Sequence, residues 1–290
     1  MAPMLRFVFL AFISFFVSQP VTAQSLGAVS SVACDTHSTA RGEHVYDYAP
    51  KAMACVEAPT PGHWYDAVTE SEMFDLVNAE RRARGLTQLS YRPELLAPAR
   101  VHSFDMAQDG FFAHRGVDGR SPFERISALD RTLVQSEARE NLASVSGQVD
   151  DTKVAALLHD LLMNSEGHRA NILAPNLTHM AMGLVRTARG AWVTQVFVRQ
   201  DGTLDEPLGY AHTLGDRLAL GAQLEDREFR SAVFQGKRGQ EYTSFQSGDI
   251  PTGDLQLLVI GTQQVDAYTT RTVKLNGPSM SIIAARPSGP

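Results

Sequence analysis

The chain has 290 residues, and its 43% hydrophobic content is enough for one sizeable core together with a smaller module. Its formal net charge of −6 and its pI near 5.8 argue against a general nucleic-acid binder, which would present a basic surface. The dense basic run at residues 81–84 is interpreted as the solvated last turn of a helix. We therefore expect no nucleic-acid partner.

The N-terminal residues have the pattern of an export signal. Arg6 precedes an apolar run at residues 7–17 that is too short to anchor the chain across a bilayer. Small residues at 21–23 then offer a cleavage site, so the pattern predicts a signal peptide over residues 1–23. We expect a secreted protein, extracellular or periplasmic, with no transmembrane anchor after the signal is cleaved.

The chain has two cysteines, Cys34 and Cys55. In an exported protein this pair predicts one disulfide, which would stabilise the fold by roughly 3 kcal/mol through loop closure. Two free thiols or a thiolate metal site are poorer alternatives, because the sequence has no CxxC spacing. Apart from the disulfide, residues 24–65 are predicted to be a loop-rich N-terminal extension.

Two helices are predicted next. A capping box at residues 69–72 begins the first helix, residues 70–84, and Gly85 ends it. The second helix has Pro93 at its first position and ends at Gly110. Pro98 removes one helical hydrogen bond, which predicts a kink or a late start.

The segment at residues 111–114 places two aromatic residues before His114. We expect both aromatic rings to be buried and His114 to stand at the edge of the core. A third helix follows, with Ser121 as its cap, Pro122 at its first position and Glu124 closing a capping box. His102, inside the second helix, is interpreted as an ordinary helix residue.

The segment at residues 164–173 is the main candidate for a functional site. Gly167 is predicted to end the fourth helix in a left-handed conformation, which leaves His168 as the first side chain beyond it. The negative helix end would then raise the pKa of His168, and Glu166 would share the same small polar site. A histidine hydrogen-bonded into a turn is the alternative. Glu140 is an acid for which a rim position and an inward position both remain open.

The later part of the chain is rich in strands. Residues 180–186 and 191–199 predict an antiparallel hairpin, and helices followed by interleaved strands favour an α+β or α/β/α domain over a doubly wound sheet. Short β-rich runs over residues 208–286 predict a small all-β module, for which a binding role and a purely accessory role stay open. No glycine-rich phosphate loop supports a nucleotide site.

Five sequence segments, taken in order, resemble the CAP superfamily of cysteine-rich secretory, antigen 5 and pathogenesis-related 1 proteins, and most of all its bacterial SCP-like extracellular branch. The segments are residues 76–86, 111–122, 140–142, 164–173 and 192–197. The resemblance covers roughly residues 70–199. It implies an α+β fold, a three-layer α-β-α sandwich with a shallow cleft, over residues 66–202.

In many members of this family the cleft holds two histidines and two acidic residues that can bind a divalent metal. The resemblance makes His114 the first histidine, Glu140 the first acid and His168 the second histidine. Glu166 is the best candidate for the fourth residue, with Asp160 behind it. Two imidazoles suit Zn²⁺ or a similar ion, so His114 and His168 are the expected metal ligands.

The sequence departs from the family pattern at two positions. Arg139 precedes Glu140 where the family usually has glycine, and Leu162 stands where a tryptophan is common. A cation at position 139 would weaken metal binding or neutralise Glu140. The departure at Leu162 does not affect the predicted fold.

The resemblance implies extracellular binding of a lipid or other amphiphile, of a cell-envelope component or of a protein partner, without one shared reaction. The alternative is a metal-dependent extracellular hydrolase, protease-like, that uses the same His/Glu cleft. A nucleophile at Ser165 or Ser121 has no supporting local signature. Whether the protein is an enzyme stays open from the sequence.

Overall fold

A computed structural model describes Cys34 and residues 44–215, 217–243 and 253–283. The predicted signal peptide, residues 1–23, lies outside the described residues. Every described residue belongs to one compact unit of the chain. Within the described residues, no helix combines the length and the apolar character that crossing a membrane requires.

The described residues form six α-helices and eleven strands. The helices are Val45–Glu57 (α1), Ala67–Ala83 (α2), Leu96–Asp109 (α3), Pro122–Leu129 (α4), Val154–Asn164 (α5) and Glu166–Ile172 (α6). The strands are Trp64–Tyr65 (β1), Ser90–Tyr91 (β2), Leu133–Ser146 (β3), His179–Thr187 (β4), Gly190–Leu204 (β5), Ala211–Thr213 (β6), Ala222–Leu224 (β7), Glu228–Gln235 (β8), Glu241–Tyr242 (β9), Gly253–Gln264 (β10) and Thr270–Ile283 (β11).

All of these strands join one sheet in the order β1-β4-β5-β3-β11-β10-β8-β9, with β2 on β4, β6 on β11 and β7 on β5. The predicted hairpin is the antiparallel β4–β5 pair. β11 meets β3 where Asn276 pairs with Gln135, so the C-terminal strands continue the sheet. The α+β class and the C-terminal run of strands are confirmed, whereas the domain boundaries 66–202 and 208–286 stay predictions.

Helices cover both faces of the β3–β5 part of the sheet. Successive side chains of a strand point to opposite faces. On β4, Met180 and Met182 therefore pack into a cluster with residues of α2 and α5. Ala181, between them, packs into a cluster with residues of α3 and α4. This arrangement is the predicted three-layer sandwich.

The helix starts follow local capping chemistry. The α4 capping box of Ser121 and Glu124 forms as predicted, and α3 begins late, at Leu96, behind a 3₁₀ turn at Pro93–Leu95. The capping box predicted at residues 69–72 is wrong. Asp66 caps α2 instead, because its carboxylate accepts the Thr69 N–H at 3.1 Å and the helix starts earlier.

Helix α1 lies in the region that the sequence predicts to be loop. Pro50 is inside the helix and obscures its pattern, since proline removes one helical hydrogen bond. Tyr48, Ala49 and Ala52 nevertheless pack with residues of α3 and α4 in one buried cluster. Burial of this face therefore outweighs the unfavourable proline.

The predicted disulfide joins Cys34 to Cys55 in α1. Cys55 is fully buried, in a cluster with Phe104 and Val185. In the chain-entropy model, closing a loop of this size stabilises the fold by about 3 kcal/mol. The disulfide therefore links Cys34 to a part of α1 that is buried against the sandwich.

Candidate functional site

The centre of the candidate site is a buried carboxylate held between two basic side chains. Glu140, in β3, accepts a hydrogen bond from His114 Nδ1 at 2.8 Å through Oε1 and one from Arg125 Nη2 at 2.7 Å through Oε2. The Glu140 and Arg125 side chains are each 2% exposed, and the His114 side chain is 55% exposed. Of the two positions left open for Glu140, the structure shows the inward one.

These contacts fix the tautomer of the neutral His114 ring. Because a carboxylate can only accept, Nδ1 carries the proton that the ring donates to Glu140. Nε2 is then an acceptor on an exposed ring. The hydrogen bond to the carboxylate fixes the orientation of the ring. Such histidine–carboxylate pairs occur where a histidine acts as a general base and where a histidine binds a metal ion.

Three hydrogen bonds hold the loop that carries His114. Arg125 donates to the carbonyl oxygens of Arg120 at 2.9 Å and of His114 at 3.0 Å. His102 Nε2 donates to the Ala113 carbonyl at 2.9 Å. Burial, and after it the positive charge of Arg125, keep the pKa of His102 well below its ordinary value, so this ring is neutral. His102 thus supports the loop, consistent with its interpretation as a helix residue.

The sequence predicts the wrong cation at Glu140. Arg139 bonds to the carboxylate of Glu137 and to Asn171 Oδ1, because consecutive strand residues point to opposite faces. Arg125, from α4, neutralises Glu140 instead. The sequence around Arg125 carries no signal for this role, since the contact depends on how α4 packs beside β3.

The helix end predicted at Gly167 is also wrong. Helix α5 already ends at Asn164, Ser165 is extended with φ −90° and ψ 124°, and Gly167 lies inside α6. The short helix forms because Ile172 is fully buried in the core that α5 shares. His168 therefore lies in the first turn of a new helix.

The pKa of His168 is lowered from its ordinary value, opposite to the sequence prediction. Burial is the largest cause, and the nearby positive charge of protonated His114 is the second. The predicted helix end that would have raised it is absent, because His168 lies at the beginning of α6. The ring is therefore neutral near pH 7, and it lies close enough to His114 for the two to interact electrostatically.

Hydrogen bonds fasten α6 to the edge of β3 beside this pair. Asn141 donates to the carbonyl oxygen of His168 at 3.0 Å. Asn171 donates to the carbonyl oxygen of Glu140 at 3.2 Å and to Asn141 Oδ1 at 2.9 Å. These bonds hold the His168 backbone next to the β3 residues that follow Glu140, the carboxylate that His114 contacts.

The structure leaves the proposed fourth residue outside this group. Glu166 and Asp160 are both exposed. Glu166 and His168 are two residues apart on α6, and side chains at that spacing on a helix face different directions. The shared polar site predicted for Glu166 and His168 therefore does not form in this arrangement.

The side chains present do not fit a tight divalent-metal site. Within the described ranges, no group of three or more His, Cys, Asp or Glu side chains could hold a metal ion. Both oxygens of Glu140 already accept hydrogen bonds. His114 and His168 would then be the remaining protein ligands, whereas catalytic zinc sites use three.

Exposed apolar side chains flank His114. Phe112 is 54% exposed and Val117 is 47% exposed, so the predicted burial of Phe112 is wrong. Phe111 is half-buried and its ring packs against His102 at a centroid distance of 5.9 Å. The loop between α3 and α4 therefore exposes two apolar side chains, one before and one after His114 along the chain.

A family profile described as the cysteine-rich secretory protein family, CAP, matches residues 74–197. The uncharacterized protein YkwD of Bacillus subtilis is 35% identical over 150 residues, which are 52% of this chain and 53% of that protein. The uncharacterized membrane protein YlbC of the same organism is 28% identical over 132 residues, which are 46% of this chain and 35% of that protein.

Among solved structures, an extracellular SCP-domain protein from Bacillus anthracis is 29% identical, with a TM-score of 0.40. The match covers 47% of this chain and 41% of that protein. The chain spans about half the length of YkwD and about a third of YlbC.

Proposed function

Because residues 74–197 are a CAP domain of the bacterial SCP type, we propose that the protein acts outside the cytoplasm as a binding protein for an amphiphilic component of the cell envelope. The Cys34–Cys55 disulfide supports export, since disulfides persist in oxidising compartments. The predicted signal peptide, residues 1–23, points in the same direction.

The exposed apolar loop around His114 is the observation that carries this proposal. Large apolar side chains are costly in water, and their grouping beside polar groups is typical of a binding surface. Phe112 and Val117 supply contact area for an apolar chain. The acceptor nitrogen of His114 and the neutral ring of His168 supply hydrogen bonds to a polar headgroup.

Replacing Phe112 by serine tests the proposal. We expect Phe112→Ser to weaken binding of lysophosphatidylethanolamine, kept below its micelle concentration, by about tenfold, since a buried phenyl ring contributes about 1.5–3 kcal/mol. Isothermal titration calorimetry on the mature chain measures the affinity. Tyr268→Ser is the matched control, because Tyr268 is 98% exposed in the distant β10–β11 turn.

The control variant should bind as tightly as the unchanged protein. Equal losses in Phe112→Ser and Tyr268→Ser would show that the effect is not local to the His114 loop. Failure of the unchanged protein to bind saturably would reject an amphiphile of this type as the ligand.

A hydrolase is the second candidate, favoured by the orientation of His114 on the buried Glu140 carboxylate. A histidine whose Nδ1–H is held by a carboxylate can use Nε2 as a general base toward water. Ser121 is a poor nucleophile here, because its hydroxyl donates to Glu124 at 2.7 Å in the α4 cap. The test is hydrolysis of an envelope extract by the purified protein. Hydrolysis that is lost in His114→Gln and retained in Tyr268→Ser would support the hydrolase.

A further inference from the structure

A cavity of about 620 Å³ lies between the loop that follows His114 and the C-terminal strands. The loop side of its wall runs from Arg115 to Glu124, and the strand side comes from the ends of β8 and β10 and from β11. Its volume lies within the range of roughly 300–1,000 Å³ that small-molecule sites occupy. His114, Glu140 and His168 do not line it, so it is separate from the candidate site above.

The acidic side chains of the wall are already bound within the protein. Asp118 pairs with Arg120 at 2.7 Å, Glu124 accepts from Ser121 at 2.7 Å, and Asp254 accepts from Ser281 at 2.6 Å. Each carboxylate is thus engaged by its own neighbours. The wall therefore does not favour a cationic ligand, even though it contains three acids.

Other polar groups of the wall remain available to a ligand. Within the part of the chain that the structure describes, no side-chain hydrogen bond or ion pair engages Lys237, Gln235, Asn276 or the hydroxyl of Ser279. These groups include one ammonium, two amides and one hydroxyl, which together can donate and accept several hydrogen bonds. Phe123, half-buried in the same wall, adds an apolar ring.

We propose that this cavity binds a short acidic carbohydrate. Sugar hydroxyls both donate and accept, as do the amides of Gln235 and Asn276 and the hydroxyl of Ser279. The apolar face of a sugar ring matches the ring of Phe123. Lys237, at the β8–β9 turn, provides a charge-assisted hydrogen bond to the carboxylate of the sugar acid.

The C-terminal strands form one side of this proposed glycan site. The CAP domain contributes the loop side of the cavity, and the continuing strands contribute Lys237, Asn276 and Ser279. Neither side encloses the cavity alone. Recognition of an acidic glycan would thus be a property of this chain that its CAP domain does not have by itself.

Calorimetric titration of the mature chain with the disaccharide GlcNAc–MurNAc tests this site. We expect saturable binding, and a dissociation constant about tenfold higher both for the neutral disaccharide GlcNAc–GlcNAc and for Lys237→Gln, because each removes one charge-assisted hydrogen bond. Arg238→Gln is the matched control, since Arg238 is the exposed neighbour of Lys237 in the same turn and does not line the cavity.

Several results would overturn the proposal. The first is that GlcNAc–MurNAc does not bind saturably, and the second is that the neutral disaccharide binds as tightly. The others are that Lys237→Gln binds GlcNAc–MurNAc as tightly as the unchanged protein, or that Arg238→Gln loses as much affinity as Lys237→Gln. Phe112→Ser, which alters the His114 loop, should leave disaccharide binding unchanged. A loss of disaccharide affinity in that variant would indicate that the disaccharide binds at the His114 loop instead. The two proposals can therefore fail separately.

Discussion

Arg125→Ala is expected to lower the free energy of unfolding by about 3–5 kcal/mol, because it leaves a buried carboxylate without its cation. Arg125 and Glu140 are each 2% exposed and 2.7 Å apart. The change also removes the bonds that Arg125 makes to the carbonyl oxygens of Arg120 and His114. Urea unfolding followed by circular dichroism measures the loss.

A matched control is available in Arg139→Ala. Arg139 also pairs with a glutamate, Glu137, but both side chains are partly exposed, and pairs of that kind contribute about 0–1 kcal/mol. If the two variants lose similar stability, Arg125 does not compensate a buried charge.

The double variant Arg125→Met with Glu140→Leu separates charge from packing. If the uncompensated carboxylate causes most of the loss, removing both charges should destabilise less than Arg125→Ala alone. A double variant that is less stable than Arg125→Ala would assign the loss to lost contacts instead.

Gly183→Ala is expected to cost about 3 kcal/mol, at the upper end of what overpacking usually costs. In β4, Gly183 lies directly against the backbone of α3. An added Cβ would be 2.5 Å from the carbonyl carbon of Ala99 and closer still to the backbone of Arg100. The hydrogen bond from Ser103 Oγ to the Gly183 carbonyl, 2.8 Å long, would be strained as α3 moves away.

Gly167→Ala provides the comparison for this substitution. A Cβ at position 167 meets no atom within 4 Å, and alanine favours a helix over glycine by about 0.5–1 kcal/mol. Thermal unfolding of both variants should therefore show a large loss at position 183 and none at position 167. Equal melting temperatures would contradict the close packing of α3 on β4.

Local chemistry was predictable from the sequence, and contacts across the fold were not. The α4 capping box lies within four residues, Ser121 to Glu124, and two cysteines allow one pairing. The stability of α1, by contrast, depends on burying Tyr48 against α3 and α4. Its own sequence, with Pro50 inside the helix, argues against a helix.

In the candidate site, too, some contacts are predictable from the sequence and others are not. The resemblance places His114 and Glu140 in one cleft, and the structure brings their side chains together. The contact between Arg125 and Glu140 is not predictable, because no sequence pattern indicates which cation packs against a buried carboxylate. Glu166 was included because it is close to His168 along the chain, but the turn at Ser165 starts a new helix and leaves Glu166 exposed.

The lowered pKa of His168, caused first by burial and then by the charge of His114, has a consequence for stability. The folded pKa of His168 is lowered, so the unfolded chain binds more protons than the folded one just below the ordinary value of 6.5. Stability then rises with pH through this window and is lost as the pH falls below 6.5. The buried ring of His102 contributes with the same sign.

Titration of the His168 ring by NMR, in the unchanged protein and in His114→Gln, tests most directly whether the two rings belong to one binding surface. We predict that His168 titrates below 6.5 and that its pKa rises in His114→Gln, because the variant removes the repulsion from a second imidazolium. An identical His168 titration curve in both proteins would show that the two rings do not share one site.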